Sequence, residues 1–215
     1  MAKRMINQEI VTAIRQGYHA RGHNHKHYHQ GSLGFGFVHY ALIRNVRPER
    51  VLVIGSQRGF VPAICALACK DEGTGHVDFV DAGYDLSHEK SWGGIGIWKT
   101  ALPSYWESLE VQSWITLHCM TTEQFVVTDP GRYQYIYVDG DHSLEGVSAD
   151  FGALNPLLDP GGFMVFHDVF EDKLTERYGR CGVKRFWNDT FFRGFEKLSL
   201  PFDVGLGILR KVEEQ

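Results

Sequence analysis

Two short polar clusters, Asp139-Gly140-Asp141-His142 and His167-Asp168, each follow directly on a run of aromatic and aliphatic residues. Carboxylates and imidazoles at such places can bind a divalent cation, take a proton near neutral pH, or hold a hydroxyl group. Tyr135-Ile136-Tyr137-Val138 has the β-branched and aromatic character of a buried strand and stops at Asp139; Phe163-Met164-Val165-Phe166 stops at His167 in the same way. Between them Leu144, Val147, Phe151, Leu154 and Leu158 recur at spacings of three and four, which predicts a helix with one apolar face. Asp159-Pro160-Gly161-Gly162 breaks it. Strands joined by a helix in one sheet run parallel, so both clusters are expected at the same carboxyl edge, where open α/β sheets bind ligands.

The remaining elements must build that edge. Ile6, Ile10 and Ile14, with Val11, suggest an amphipathic first helix, and a second is expected over about Phe37 to Asn45. From Val51 onward strand and helix alternate: Val51 to Ile54, then a helix from Phe60 to Lys70; His76 to Val80, then a long polar connection and a helix near Pro103 to Leu109; then a strand from Ser113 to His118. Trp187 to Phe195 is aromatic and reads as helical. The extended pieces near Glu196 to Leu200 and Val204 to Val212 have no long helix between them and suit an antiparallel edge hairpin. The pattern predicts an α/β fold: a doubly wound, mostly parallel sheet with an antiparallel C-terminal edge hairpin and helices on both faces. No repeat or linker divides the chain, so one domain over residues 1–215 is expected, with N-terminal helices and a His-rich loop to residue 47 and the core from 48.

Composition narrows the function. A chain of 215 residues, 43% hydrophobic, is long enough for one well-buried core. Its net charge of -4 gives no electrostatic reason to expect nucleic acid or an anionic membrane as partner. No apolar segment approaches the roughly 18 residues that span a bilayer, and MAKRMINQEI lacks the apolar stretch of an export signal, so a cytoplasmic location is expected. Cys65, Cys69, Cys119 and Cys181 lack zinc-ribbon spacing and read as free thiols. Cys65 and Cys69, four apart on a predicted helix, read as small apolar packing rather than a chelate. His19, His23, His25, His27 and His29 lie in a glycine-rich polar stretch that is either a solvated loop or a substrate or metal element. Ser91-Trp92-Gly93-Gly94-Ile95-Gly96-Ile97-Trp98 is either a mobile lid with flat apolar surface or a long loop anchored by its tryptophans.

The first strand runs into Gly55-Ser56-Gln57-Arg58-Gly59, a G-x-x-x-G turn whose glycines let the backbone pass close to a ligand. The second ends at Asp81, where a carboxylate can accept hydrogen bonds from both ribose hydroxyls of an adenosine-containing cofactor. With YVDGDHSLEG and ADFGALNPLLDPGGFMVFHDV, the order over roughly Val51 to Val169 resembles the class I S-adenosylmethionine-dependent methyltransferases, and within them the small-molecule O-methyltransferases of the macrolide-sugar and rhamnosyl type.

That resemblance implies a Rossmann-like core and S-adenosylmethionine bound through Gly55, Ser56, Gln57, Gly59, Asp81 and Asp139. It implies a divalent ion, Mg²⁺ or Mn²⁺ or another, on Asp139, His167 and Asp168, and His142 as the general base toward a small hydroxylated acceptor. Two residues depart from the family pattern: Val53 stands where many relatives carry an acidic residue, and His167 stands at a ligand position usually held by Asp or Glu. Asp141 is read as the N-cap of the following helix. Related enzymes often pair subunits, so a homo-oligomer is compatible with the aromatic terminal segments. Two other readings compete: a metal-dependent hydrolase using Asp139, Asp141, His142, His167 and Asp168, and a catalytically silent methyltransferase-like binding or assembly protein.

Overall fold

The apolar runs pair side by side in a seven-stranded sheet of order β3-β2-β1-β4-β5-β9-β8. In this computed structural model residues 8–19, 33–175, 179–201 and 204–212 are described. The strands are β1 Arg50–Ile54, β2 His76–Val80, β3 Ile115–His118, β4 Tyr133–Val138, β5 Leu158–His167, β8 Phe195–Leu200 and β9 Leu206–Lys211; β6 Leu174–Thr175 and β7 Gly179–Arg180 form a separate small hairpin. The pairs among β1 to β5 are all parallel, and β9 runs antiparallel to both β5 and β8. Ile54 is level with Val80 and with Val138, and Val138 with Phe166, so four carboxyl ends share one edge. The order reverses between β1 and β4, and such a switch point opens a crevice for a ligand.

Successive side chains of a strand point to opposite faces, and both faces of this sheet are covered. Val51, Val53, Phe79, Tyr135 and Tyr137 bury against helices α1 Gln8–His19, α2 Gly36–Val46 and α3 Phe60–Glu72 and against Trp106 of α4 Ser104–Ser108. Leu52, Ile54, Ile136, Val138 and Phe166 bury against α6 Leu144–Leu154 and α7 Val183–Asp189.

Several boundaries differ from expectation. The helix after the first cluster ends at Leu154 and is followed by a 3₁₀ turn, Asn155–Leu157, with Pro156 at its second position, and Asp159 to Gly162 belong to β5, across an irregularity in its pairing with β4. The tail helix is α7, and Thr190 is extended after it. Phe192 and Phe195 leave the helix to pack edge-on and tilted against Phe151, so ring packing overrides the local helical reading. A short helix α5, Thr122–Val126, escapes the periodicity reading, although its capping box, Thr121 with Gln124, is visible in the sequence.

One close approach levels the working edge. Gly55 has φ of 67°, and its N–H donates to the Val80 carbonyl at 2.8 Å. A Cβ there would lie 2.1 Å from the backbone oxygen of Asp139. Gly73, which caps α3 with φ of 73°, faces open space. In urea unfolding, Gly73→Ala should cost about 1 kcal/mol, the left-handed backbone penalty alone. Gly55→Ala should cost at least about 3 kcal/mol, because β1 and β4 must also part. Equal losses would show that the Gly55 contact does not constrain the edge.

Candidate active site

The levelled strand ends enclose a cavity of about 610 Å³, within the range of small-molecule sites. Gly55, Ser56 and Gln57 line it from the end of β1, Asp81 from β2, Thr121 and Thr122 from the start of α5, Asp139 to His142 from β4, and His167 and Asp168 from β5. Of the residues expected to hold a cofactor, Gly59 is not in this lining. It opens α3, and a Cβ there would meet the rings of Trp106 and Trp98 at 2.6 and 2.7 Å, so its glycine serves packing behind the cavity. Val53 is fully buried in the core. The Asp81 carboxylate accepts from the Gly83 N–H at 2.8 Å and the Ser56 N–H at 3.4 Å, which fixes its orientation. Burial pushes its pKa up against those two bonds.

The two polar clusters meet. His142 lies between carboxylates, with Asp139 Oδ1 at 3.0 Å from Nε2 and Asp168 Oδ2 at 3.2 Å from Nδ1. His167 Nδ1 is 3.3 Å from Asp168 Oδ1 and 3.6 Å from Asp139 Oδ1. Tyr137 donates its hydroxyl to Asp139 Oδ2 at 3.1 Å. Asp168 holds this position with φ of 61°, uncommon for a residue with a side chain and a type of strain that clusters at working sites. Burial alone would raise Asp139, but His167 and His142 overcome it and hold the carboxyl well below the usual range. Burial alone would lower His142, but Asp168 and Asp139 overcome it and push the ring up to about 8; the same two carboxylates raise His167 well above the ordinary value. Asp139, His167 and Asp168 bring one ligand atom each within 4.8 Å of one another.

Behind the cluster lies a layer that sequence reasoning missed. His39 of α2 is completely buried, with Nδ1 2.5 Å from the Tyr135 hydroxyl and its ring edge-on to Tyr137 at 4.9 Å. Burial, then the charge of His167, lowers its pKa to about 3, so it is a neutral spacer. A lone histidine among the apolar residues of a helix gives no sequence signal for this. The expected N-cap is also displaced: Ser143 accepts from the Gly146 N–H and caps α6, while Asp141 accepts from the Trp92 indole at 2.8 Å and the Ser143 N–H at 2.9 Å. Trp92 thereby leans over His142, ring centres 5.4 Å apart, whereas Trp98 stacks on Trp106 at 5.5 Å in the core. One tryptophan of the glycine-rich segment faces the cavity and the other anchors it. Cys65 and Cys69 are buried packing, as expected. The histidines at 23, 25, 27 and 29 and the side chain of His19 lie outside the described residues.

A family model described as a methyltransferase domain matches residues 52–169, more than half of the chain and every strand end just described. The chain belongs to this methyltransferase-domain family. Its structure is similar to those of the O-methyltransferase TomG from Streptomyces achromogenes in complex with SAM (16% identity, TM-score 0.66, covering 97% of this chain and 92% of that one). It is similar also to the O-methyltransferase from Bacillus cereus in complex with SAH (15%, 0.64, 97% and 92%) and to the SAH-bound Podospora anserina methyltransferase PaMTH1 (16%, 0.69, 97% and 89%). At such identities the likeness establishes the fold, that of the class I methyltransferases. No curated protein matches the chain in sequence.

Among the carboxyls of the methyltransferase cavity that the sequence did not single out is Asp150. Asp150 on α6 is 7% exposed, hydrogen-bonds Thr122, and sits so close to Gly140 that a Cβ there would lie 2.9 Å from its Oδ2. Burial pushes its pKa up to about 7, with the Thr122 bond opposing and Glu123 and Asp141 adding to the rise. A carboxyl raised on folding contributes most to stability below its unfolded pKa, and that contribution is lost as pH rises through the folded value. The penalty therefore grows between about pH 4 and pH 7, to at most about 4 kcal/mol. Asp150→Asn removes it, so the variant's melting temperature should gain on the wild type as pH is raised from 5 to 8. A difference that stays constant across that range would show Asp150 to be ionised at little cost.

Proposed function

We propose that this methyltransferase moves the methyl group of S-adenosylmethionine to a hydroxyl oxygen of a small metabolite, with His142 taking the acceptor's proton. The observation that carries the reading is His142 held between two carboxylates in a cavity that also contains Asp81 and the Gly55 turn. Methyl transfer from a sulfonium is an in-line displacement, so the protein's work is to align donor and acceptor and to remove a proton. Asp81, braced by the Gly83 and Ser56 amides, keeps lone pairs for the ribose hydroxyls, and Gly55, Ser56 and Gln57 form the adjoining wall. Deprotonated, above about pH 8, His142 gives its one N–H to one carboxylate and keeps a lone pair on the other nitrogen for the acceptor's proton. The imidazolium formed by proton transfer is then stabilised by both Asp139 and Asp168. Trp92 offers a flat apolar wall beside this point, which suits a sugar, polyketide or phenolic acceptor.

Asp139, His167 and Asp168 fit a divalent ion: their ligand atoms converge within 4.8 Å, and His167 Nδ1 faces both carboxylates, at 3.6 and 3.3 Å. Two carboxylates and an imidazole suit Mn²⁺ better than Mg²⁺. When bound, such an ion would polarise the acceptor oxygen and lower its pKa. Free thiols at all four cysteines support action in the reducing cytoplasm.

The test measures S-adenosylhomocysteine formation with a panel of hydroxylated acceptors. His142→Gln should lower kcat by about 10²-fold or more with little change in S-adenosylhomocysteine affinity; retention of near wild-type kcat would remove His142 from the reaction. Chelator should depress the wild-type rate and Mn²⁺ should restore it, whereas full activity in chelator would exclude the ion.

A further inference from the structure

Asp168 faces in two directions. Its Oδ1 is turned to His167 and its Oδ2 to His142, and on the His142 side lies a residue that the methyl-transfer reading leaves unused, Cys181. His142, Asp168 and Cys181 place one ligand atom each within 4.8 Å of one another. We propose that these three residues form a second cation site, selective for a thiophilic divalent ion of the Zn²⁺ class, and that its occupation switches the enzyme off by capturing the base. The inhibitory part rests on the role proposed for His142; the binding part does not.

The ligand set has the chemistry of such a site. A thiolate, an imidazole and a carboxylate select zinc-like ions over Mg²⁺ and Ca²⁺, which prefer oxygen alone. A tetrahedral ion with bonds of about 2.0–2.3 Å spaces its ligands by about 3.3–3.8 Å. The three atoms, within 4.8 Å of one another, are thus within small side-chain rotations of closure. Cys181 is buried in the cavity lining, and binding releases its thiol proton.

The backbone fixes the trio. Gly182 donates its N–H to the His142 carbonyl at 2.7 Å, and a Cβ on Gly182 would lie 2.2 Å from the Leu144 nitrogen, so only glycine lets the Cys181 segment press against the His142 segment. Cys181 N–H donates to the Lys173 carbonyl at 3.0 Å. On the far side of the ring, Asp139 Oδ1 lies at Nε2 of His142, the arrangement that directs the other nitrogen, Nδ1, at a metal. An ion there takes the lone pair that would accept the proton.

The test uses Co²⁺ as a visible replacement for Zn²⁺ on the whole protein, without acceptor. Wild type should show a sulfur-to-cobalt charge-transfer band in the near ultraviolet, displaced by Zn²⁺ and not by Mg²⁺. Cys181→Ser should lose the band, and Cys119→Ser should keep it. With turnover as readout, Zn²⁺ should inhibit the wild type in the presence of Mn²⁺, and Cys181→Ser should need at least about tenfold more Zn²⁺ for the same fractional inhibition. Absence of the band in the wild type, or its persistence in Cys181→Ser, would overturn the site. Zinc inhibition unchanged by Cys181→Ser would overturn the switch. The absorption experiment needs no methyl transfer, so failure of the O-methylation reading and failure of this site are separate results.

Discussion

The contact between Gly55 and the backbone of Asp139 is the constraint on which the site depends. β1 and β4 are neighbours only because the sheet order reverses between them, and the chain must turn out of both strands at the same level. The Asp139 N–H donates to the Ile54 carbonyl at 2.9 Å, while Gly55 N–H donates to Val80, so three strand ends are tied by two main-chain bonds. No side chain fits between Gly55 and Asp139. The turn after β1 must therefore run over the end of β4, and this brings the Gly55 turn, the Asp81 carboxylate and the His142 cluster into one cavity.

Within the cavity the energetics turn on charge. Burying a carboxylate or an imidazolium alone costs several kcal/mol, and a pair offsets that cost only when its geometry is good. Here two carboxylates and two imidazoles alternate at separations of 3.0 to 3.6 Å, and the carboxylates stabilise the charged forms of both rings. The same proximity makes the cluster a ready set of ligands, because a cation can replace the protons that the histidines carry. His39 and Tyr137 close the cluster from behind with rings rather than charge, and Asp141 with Trp92 closes it from the side. A rigid edge, made by parallel pairing, thus carries a charged cluster that can exchange protons for a metal ion or an acceptor.

The sequence displays the edge more clearly than its surroundings. Strands such as His76–Val80 are legible to the residue because period and composition change sharply at both ends. The polar clusters are legible because apolar strands stop on them. Partners brought in by tertiary folding are not: His39 meets Tyr135 across 96 residues, and nothing in the helix around it marks the encounter. Asp141 and Ser143 are both capping residues by type, and only the path of the chain gives the cap to Ser143 and the Trp92 indole to Asp141. Cys181 is placed beside His142 by a glycine that reads as an ordinary loop residue. The tail helix lies earlier than the expected Trp187 to Phe195, at Val183–Asp189, because phenylalanines beyond it that pack on Phe151 resemble a continuing helix.

If the site works as proposed, the crevice at the ends of β1, β2 and β4 holds an adenosine-bearing methyl donor oriented by Asp81. Calorimetric titration of the protein with S-adenosylhomocysteine tests this most directly. One site per chain with about micromolar affinity is expected, weakened at least about tenfold in Asp81→Ala. No binding to the wild type, or equal binding by Asp81→Ala, would contradict it.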